Sequence, residues 1–129
     1  GLGDCSTGGV LVGGKPFLAW LARPLDLGWR QITTVEGLAS GSRPHPLQVA
    51  FAELGAAQCG YCTPAMLLTA KALLDHDPEP SRDAIKQALS GVLCRCTGAS
   101  CRDCAMLLLT SNLPGMHQFR TLPTCSACW

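Results

Sequence analysis

Cys59 and Cys62 stand three apart in "AQCGYCTPAM" (residues 57–66), and Cys94 and Cys96 stand two apart in "VLCRCTG" (residues 92–98). Four thiolates in a wide pair and a narrow pair suit a short list of chemistry: zinc, or an iron–sulfur cluster. Structural zinc usually takes C-x2–4-C pairs on knuckles or ribbons. A C-x-C pair offers two sulfurs on a short extended turn, a less usual zinc geometry but a good way to hold one iron of a two-iron cluster. Gly60, Gly98 and their small neighbours would let backbone N–H groups approach bridging sulfides. The plainer reading is buried structural thiols, since cysteine is among the most buried residue types. Two tight pairs flanked by turn residues weigh against it.

The elements that must position these thiols can be read from the apolar pattern. Leu47, Ala50, Phe51 and Leu54 recur at i, i+3, i+4 and i+7, which predicts a helix over 46–57. Thr63 followed by Pro64 predicts the next helix start, with Thr63 as N-cap, continuing to about Asp75. "HDPEP" breaks it, and Ser81 caps a third helix through Leu89, stopped by Gly91. A fourth helix is expected over 97–110. Cys59 and Cys62 thus fall in the link between the first two helices, and Cys94 and Cys96 just past the third. In an antiparallel bundle both links can lie at one end, where four sulfurs could converge.

Upstream the period is 2. "GVLVGGKPFLA" (9–19) reads as two short strands about a Gly-Gly turn, and "RQITTVEGL" (30–38) as a third strand. "ASGSRPHP" (39–46) is the clearest linker. The fold class is α+β: a small strand-rich β portion over 1–40, which the resemblance described below makes an incomplete ferredoxin-like one, a helical four-cysteine unit, a four-helix bundle, over 41–110, and an irregular tail over 111–129.

Composition narrows the function classes. The chain has 129 residues, 47% of them hydrophobic but only 5% aromatic, so Ala, Leu and Val must build its core. A net charge of +1 gives no electrostatic case for nucleic acid or an anionic membrane. No apolar run approaches a spanning helix. The opening Gly-Leu-Gly-Asp carries neither Met nor a basic leader, and reads as a truncated start. Nine cysteines cannot all pair within one chain. Close pairs without an export signal point to metal ligation in a reducing, cytoplasmic setting. His45, His76 and His117 have no partner at ligand or catalytic spacing, and His45 and His76 are expected to be solvated. No nucleophile–base set, phosphate loop or carboxylate pair stands out, so a catalytic residue on this chain is not expected.

The C-x2-C-x31-C-x-C pattern, with "HPLQVAFAELGAAQCGYCTP" (45–64), "DPEPSRDAIKQALSG" (77–91) and "TTVEGLA" (33–39), resembles the 2Fe–2S subunit of molybdenum hydroxylases, the xanthine dehydrogenase, aldehyde oxidoreductase and carbon monoxide dehydrogenase group. The resemblance covers roughly residues 1–98. It implies one 2Fe–2S cluster on Cys59, Cys62, Cys94 and Cys96, beside the molybdopterin of a large partner subunit. It implies that Gln58 hydrogen-bonds the pterin; without it Gln58 is simply a polar helix-end residue. It also implies a one-electron relay through this cluster and then a second one, toward a flavin or other acceptor, FAD on another partner being one such acceptor.

The pattern fails at both ends. In this family a ferredoxin-like half holds a second cluster through C-x4-C-x2-C and a later cysteine. Aligned on that loop, Cys5 takes the second ligand position, Gly8 the third and Trp20 the fourth, and the first would precede residue 1. Glycine and tryptophan offer no ligand. Cys5 is then the residual ligand of a lost second cluster, and the shortened sheet should leave an unpaired edge. Beyond about residue 99 the chain reads as foreign to the family, with Arg102 where an inward apolar side chain is expected. There Cys101, Cys104, Cys125 and Cys128 form C-x2-C-x20-C-x2-C, a spacing compatible with zinc, although Cys101 and Cys104 also fit one helix face. A rival from another class is a non-redox zinc-binding or interaction module that uses Cys59, Cys62, Cys94 and Cys96 only for architecture.

Overall fold

The computed structural model describes residues 5–96, which form a small α+β unit. The predicted fourth helix, the tail, and Cys101, Cys104, Cys125 and Cys128 lie outside the described residues.

Strand β1 (Gly9–Val12) turns at Gly13-Gly14 into β2 (Lys15–Leu18), pairing antiparallel with Val10 opposite Phe17 and Val12 opposite Lys15. Both turn glycines have positive φ, 57° and 79°, the conformation a two-residue hairpin turn demands. β3 (Ile32–Thr33) pairs with the other side of β1, Leu11 opposite Thr33, giving the order β2-β1-β3. Pro16 sits on the edge strand β2, where its missing N–H does no harm.

The expected third strand over 30–38 is cut to two residues. Val35–Leu38 instead winds into a 3-10 turn, with Gly37 N–H donating to the Thr34 carbonyl at 3.0 Å. Val35 and Leu38 stand three apart, so this turn puts both against the core, where an extended strand would send them to opposite faces. Before β3 a short helix α1 (Pro24–Leu27) interrupts the chain. It buries nothing and is braced by Arg23 on Asp26 and by Arg30 donating to the Asp26 carbonyl, contacts with no apolar period to announce them.

Helix α2 (Pro46–Glu53) is shorter than the predicted 46–57. Gly55, at φ 61°, supplies a left-handed stop: its N–H donates to the Ala52 carbonyl, and the Ala56 N–H reaches back to the Phe51 carbonyl at 2.9 Å. Ala56 and Phe51 are both buried, completing this Schellman ending. The extra residues become the approach to Cys59. Helix α3 (Thr63–His76) starts with Cys62, not Thr63, in the capping position, and Pro64 in the first turn. Helix α4 (Arg82–Leu89) is capped as expected, the Ala84 N–H donating to Ser81 Oγ at 3.2 Å. α3 is central: the sheet lies against it on one side, α2 and α4 on others. Gly9 makes the strand–helix approach possible, since a Cβ there would lie 3.3 Å from Ala65 Cβ. Met66, Leu47 and Ile85, one from each helix, are fully buried in the shared core.

His45 is not the solvated histidine expected. It is half-buried at the N-cap of α2. Its Nδ1 accepts from the Leu47 N–H at 3.2 Å, while Gln48 Oε1 accepts from the His45 N–H at 2.8 Å. Burial first, then Lys71, lowers its pKa, and Asp75 opposes them. A depressed histidine contributes stability above its unfolded pKa of about 6.5, and that stability is lost as pH falls through the folded value. Protonated Nδ1 cannot accept, and it sets a cation at the positive helix end. The cap should therefore weaken by about 1 kcal/mol on acidification. The check is the urea midpoint from neutral to acid pH: wild type should lose more stability than His45→Asn, whose cap does not titrate.

Candidate metal centre

Two junctions carry the four thiols. The first leaves α2 at Gly55 and turns at Gly60, whose φ of 82° allows the Thr63 N–H to donate to the Gly60 carbonyl at 3.2 Å. This turn brings Cys59 out to solvent and folds Cys62 in, 8% exposed, at the start of α3. The second follows α4: the Val92 N–H donates to the Leu89 carbonyl at 3.0 Å, Val92 is buried, and Cys94 is half-buried with Cys96 exposed. Each junction therefore presents one inner and one outer thiol. No disulfide joins the described cysteines.

The junctions meet. Cys59 and Cys96 hydrogen-bond side chain to side chain, and Cys94 is close enough to act electrostatically on both. The Tyr61 backbone N–H first, then Cys96, holds the Cys59 thiol below its ordinary range. Sharing a proton with Cys59 pushes Cys96 up. An exposed thiol supported by a backbone donor gives up its proton to a metal more readily than an unsupported one. Among the described residues, no three or more His, Cys, Asp or Glu are gathered closely enough to hold a single metal ion. The contact across the junctions joins a thiol of the wide pair to one of the narrow pair.

The surroundings are apolar and open. Tyr61 is 83% exposed between the first two cysteines, Leu93 is 57% exposed beside Cys94, and Gln58 is exposed next to Cys59. From the N-terminal side, the Leu93 N–H donates to the Cys5 carbonyl at 3.3 Å, tying that loop to the second junction. Cys5 Sγ lies within hydrogen-bond distance of Thr7 Oγ1. Trp20 stands over Gly8: a Cβ on Gly8 would be 1.8 Å from Trp20 Cζ3. Sequence reasoning passed over Tyr61, because a backbone donor leaves no spacing signature, and gave the Thr63 side chain a capping role it does not hold.

Comparison with known proteins identifies the family. The family described as 2Fe–2S binding domain matches residues 34–102, more than half of the chain. The chain belongs to the 2Fe–2S-binding family of molybdenum hydroxylase iron–sulfur subunits. One of the nicotinate dehydrogenase subunits of Pseudomonas putida KT2440 is 48% identical over 96 residues, 74% of this chain and 61% of that protein. The small FeS subunit of nicotinate dehydrogenase of Eubacterium barkeri is 47% identical with the same coverage. The chain thus spans about 61% of the length of these relatives. Among solved structures, quinoline 2-oxidoreductase of Pseudomonas putida 86 superposes with a TM-score of 0.80 at 36% identity, covering 86% of this chain and 70% of that one. Aldehyde oxidoreductase of Desulfovibrio gigas gives 0.81 at 33%, covering 87% of this chain and 13% of that one. The relatives are subunits or parts of oxidoreductases, and family membership supports 2Fe–2S binding here. Among the described residues no helix is long and apolar enough to cross a membrane.

Proposed function

We propose that this chain is a one-electron relay, carrying a single 2Fe–2S cluster on Cys59, Cys62, Cys94 and Cys96. The observation that carries the reading is the side-chain contact of Cys59 with Cys96 across two junctions far apart in sequence. A two-iron cluster takes four thiolates as two pairs, one pair per iron. The outer thiols Cys59 and Cys96 and the inner thiols Cys62 and Cys94 would together supply those four ligands. When bound, the cluster accepts and releases one electron. The chain's residues supply thiolates, backbone donors such as the Tyr61 N–H, and an apolar wall of Cys62, Ala65 and Val92.

The electron comes from a molybdopterin centre on a large partner subunit, then passes toward a flavin-bearing partner, FAD. The exposed rim of Gln58, Tyr61 and Leu93 is the surface the large subunit covers, with Gln58 toward the pterin. The assembly works in the cytoplasm and needs neither nucleic acid nor membrane insertion. The ferredoxin-like half carries no second cluster: Trp20 fills the space a side chain at residue 8 would need, and Cys5 is left as a residual ligand. Anaerobically purified chain should contain about two irons and two labile sulfides, be red-brown, and give an EPR signal on reduction. Zinc in place of iron would reject the relay in favour of the architectural zinc module. Four irons would reject the single-cluster claim alone.

A further inference from the structure

Thr63 immediately follows the ligand Cys62 and opens α3. Its Oγ1 is sealed from solvent and has no hydrogen-bond partner, the only such buried side-chain oxygen or nitrogen among the described residues. The usual outlet is closed, because Thr63 lies inside the first turn while Cys62 holds the capping position. Its backbone N–H is already satisfied by the Gly60 carbonyl, so the unmet need belongs to the side chain. A hydroxyl buried without an acceptor is destabilising, and valine would fill the same volume without that cost. The hydroxyl is best explained by an acceptor that is not a protein atom.

We infer that the Thr63 hydroxyl donates a hydrogen bond to a sulfur of the cluster beside Cys62 and so tunes its reduction potential. The inference rests on the cluster assignment above. A thiolate or bridging sulfide is an acceptor that grows more negative when the cluster takes up its electron. A fixed O–H donor therefore stabilises the reduced form more than the oxidised one and raises the potential. Thr63 is a positioning and tuning residue; no proton leaves it and no bond to it breaks.

The test compares the full chain with Thr63→Val and Thr63→Ser. Iron and sulfide are counted first, and the reduced fraction is then followed by EPR in a potentiometric titration. Thr63→Val should keep its iron but shift the one-electron equilibrium toward oxidation roughly tenfold, about 59 mV to the negative. Thr63→Ser should stay close to wild type. Pulsed EPR of the reduced protein in deuterated buffer should show an exchangeable proton coupled to the cluster that Thr63→Val lacks. Equal potentials and couplings in loaded wild type and Thr63→Val would overturn the inference while leaving the cluster assignment intact. Wild-type protein without iron would overturn the assignment itself and the inference with it. If Thr63→Val loads no iron, Thr63→Ala against Thr63→Ser makes the same comparison of hydroxyl absent and present.

Discussion

Cys94→Ser is expected to purify nearly colourless, with most of its iron and labile sulfide gone and no EPR signal on reduction. Cys94 is half-buried on the inner side of its junction, and its backbone follows the buried Val92 and the end of α4, so it has little freedom to yield its place. Serine puts a hard, weakly acidic hydroxyl where an iron–sulfur cluster takes a soft thiolate. It also leaves inner Cys62 without its counterpart. Because the cluster binds the folded chain and not the unfolded one, its loss should lower thermal stability as well. Cys5→Ser is the matched control. Cys5 is exposed, and its tie to the second junction runs through its backbone carbonyl, which serine keeps. Its spectrum and iron content should equal those of wild type. Bleaching by Cys5→Ser, or full colour in Cys94→Ser, would refute the ligand assignment.

Ile85→Ala should be the costliest change away from the cysteines. α4 is held to the molecule by one apolar stripe: Ile85 is fully buried and Leu89 is 3% exposed, while most of the remaining helix faces solvent. Truncating a buried isoleucine to alanine costs about 2–5 kcal/mol through lost transfer energy and residual cavity. That is a large share of the roughly 5–15 kcal/mol that hold a small domain together. In a domain this small, each 1 kcal/mol moves the melting temperature by about 4–8 °C. α4 also sets the path of the chain into Cys94 and Cys96, so loosened packing should reduce cluster occupancy too. Leu25→Ala is the contrast: at 95% exposure on α1 it should stay within about 0.5 kcal/mol of wild type. Thermal melts monitored by circular dichroism, with iron content measured on the same samples, separate these outcomes.

The legible parts of this fold were those with short-range causes. The hairpin about Gly13-Gly14, the α3 start around Thr63-Pro64 and the Ser81 cap of α4 each depend on residues within four positions of one another. The misread parts each had a competing partner elsewhere. Val35 and Leu38 look like strand residues until the core rewards their 3-10 spacing, with Gln48 Nε2 donating to the Val35 carbonyl from α2 at 3.3 Å. His45 looks like a linker histidine until α3 covers it and Gln48 completes the cap. Gly55 did carry the signal for the end of α2. The continuing run of small residues after it hid that signal.

The amino-acid sequence alone determined the thiol inventory and its punctuation: two tight cysteine pairs, one between α2 and α3 and one just past α4, in a pattern specific enough to name a family. Spacing within a pair is a local property, so it can be read without coordinates. Which thiol meets which was decided only by tertiary structure. Cys59 and Cys96 stand far apart along the chain, and they touch because α3 and α4 pack through Met66, Ile85 and Leu89 and carry both junctions to one place. Packing also chose which thiols are buried and where a hydroxyl is sealed behind them, because burial belongs to the assembled core and to no segment by itself.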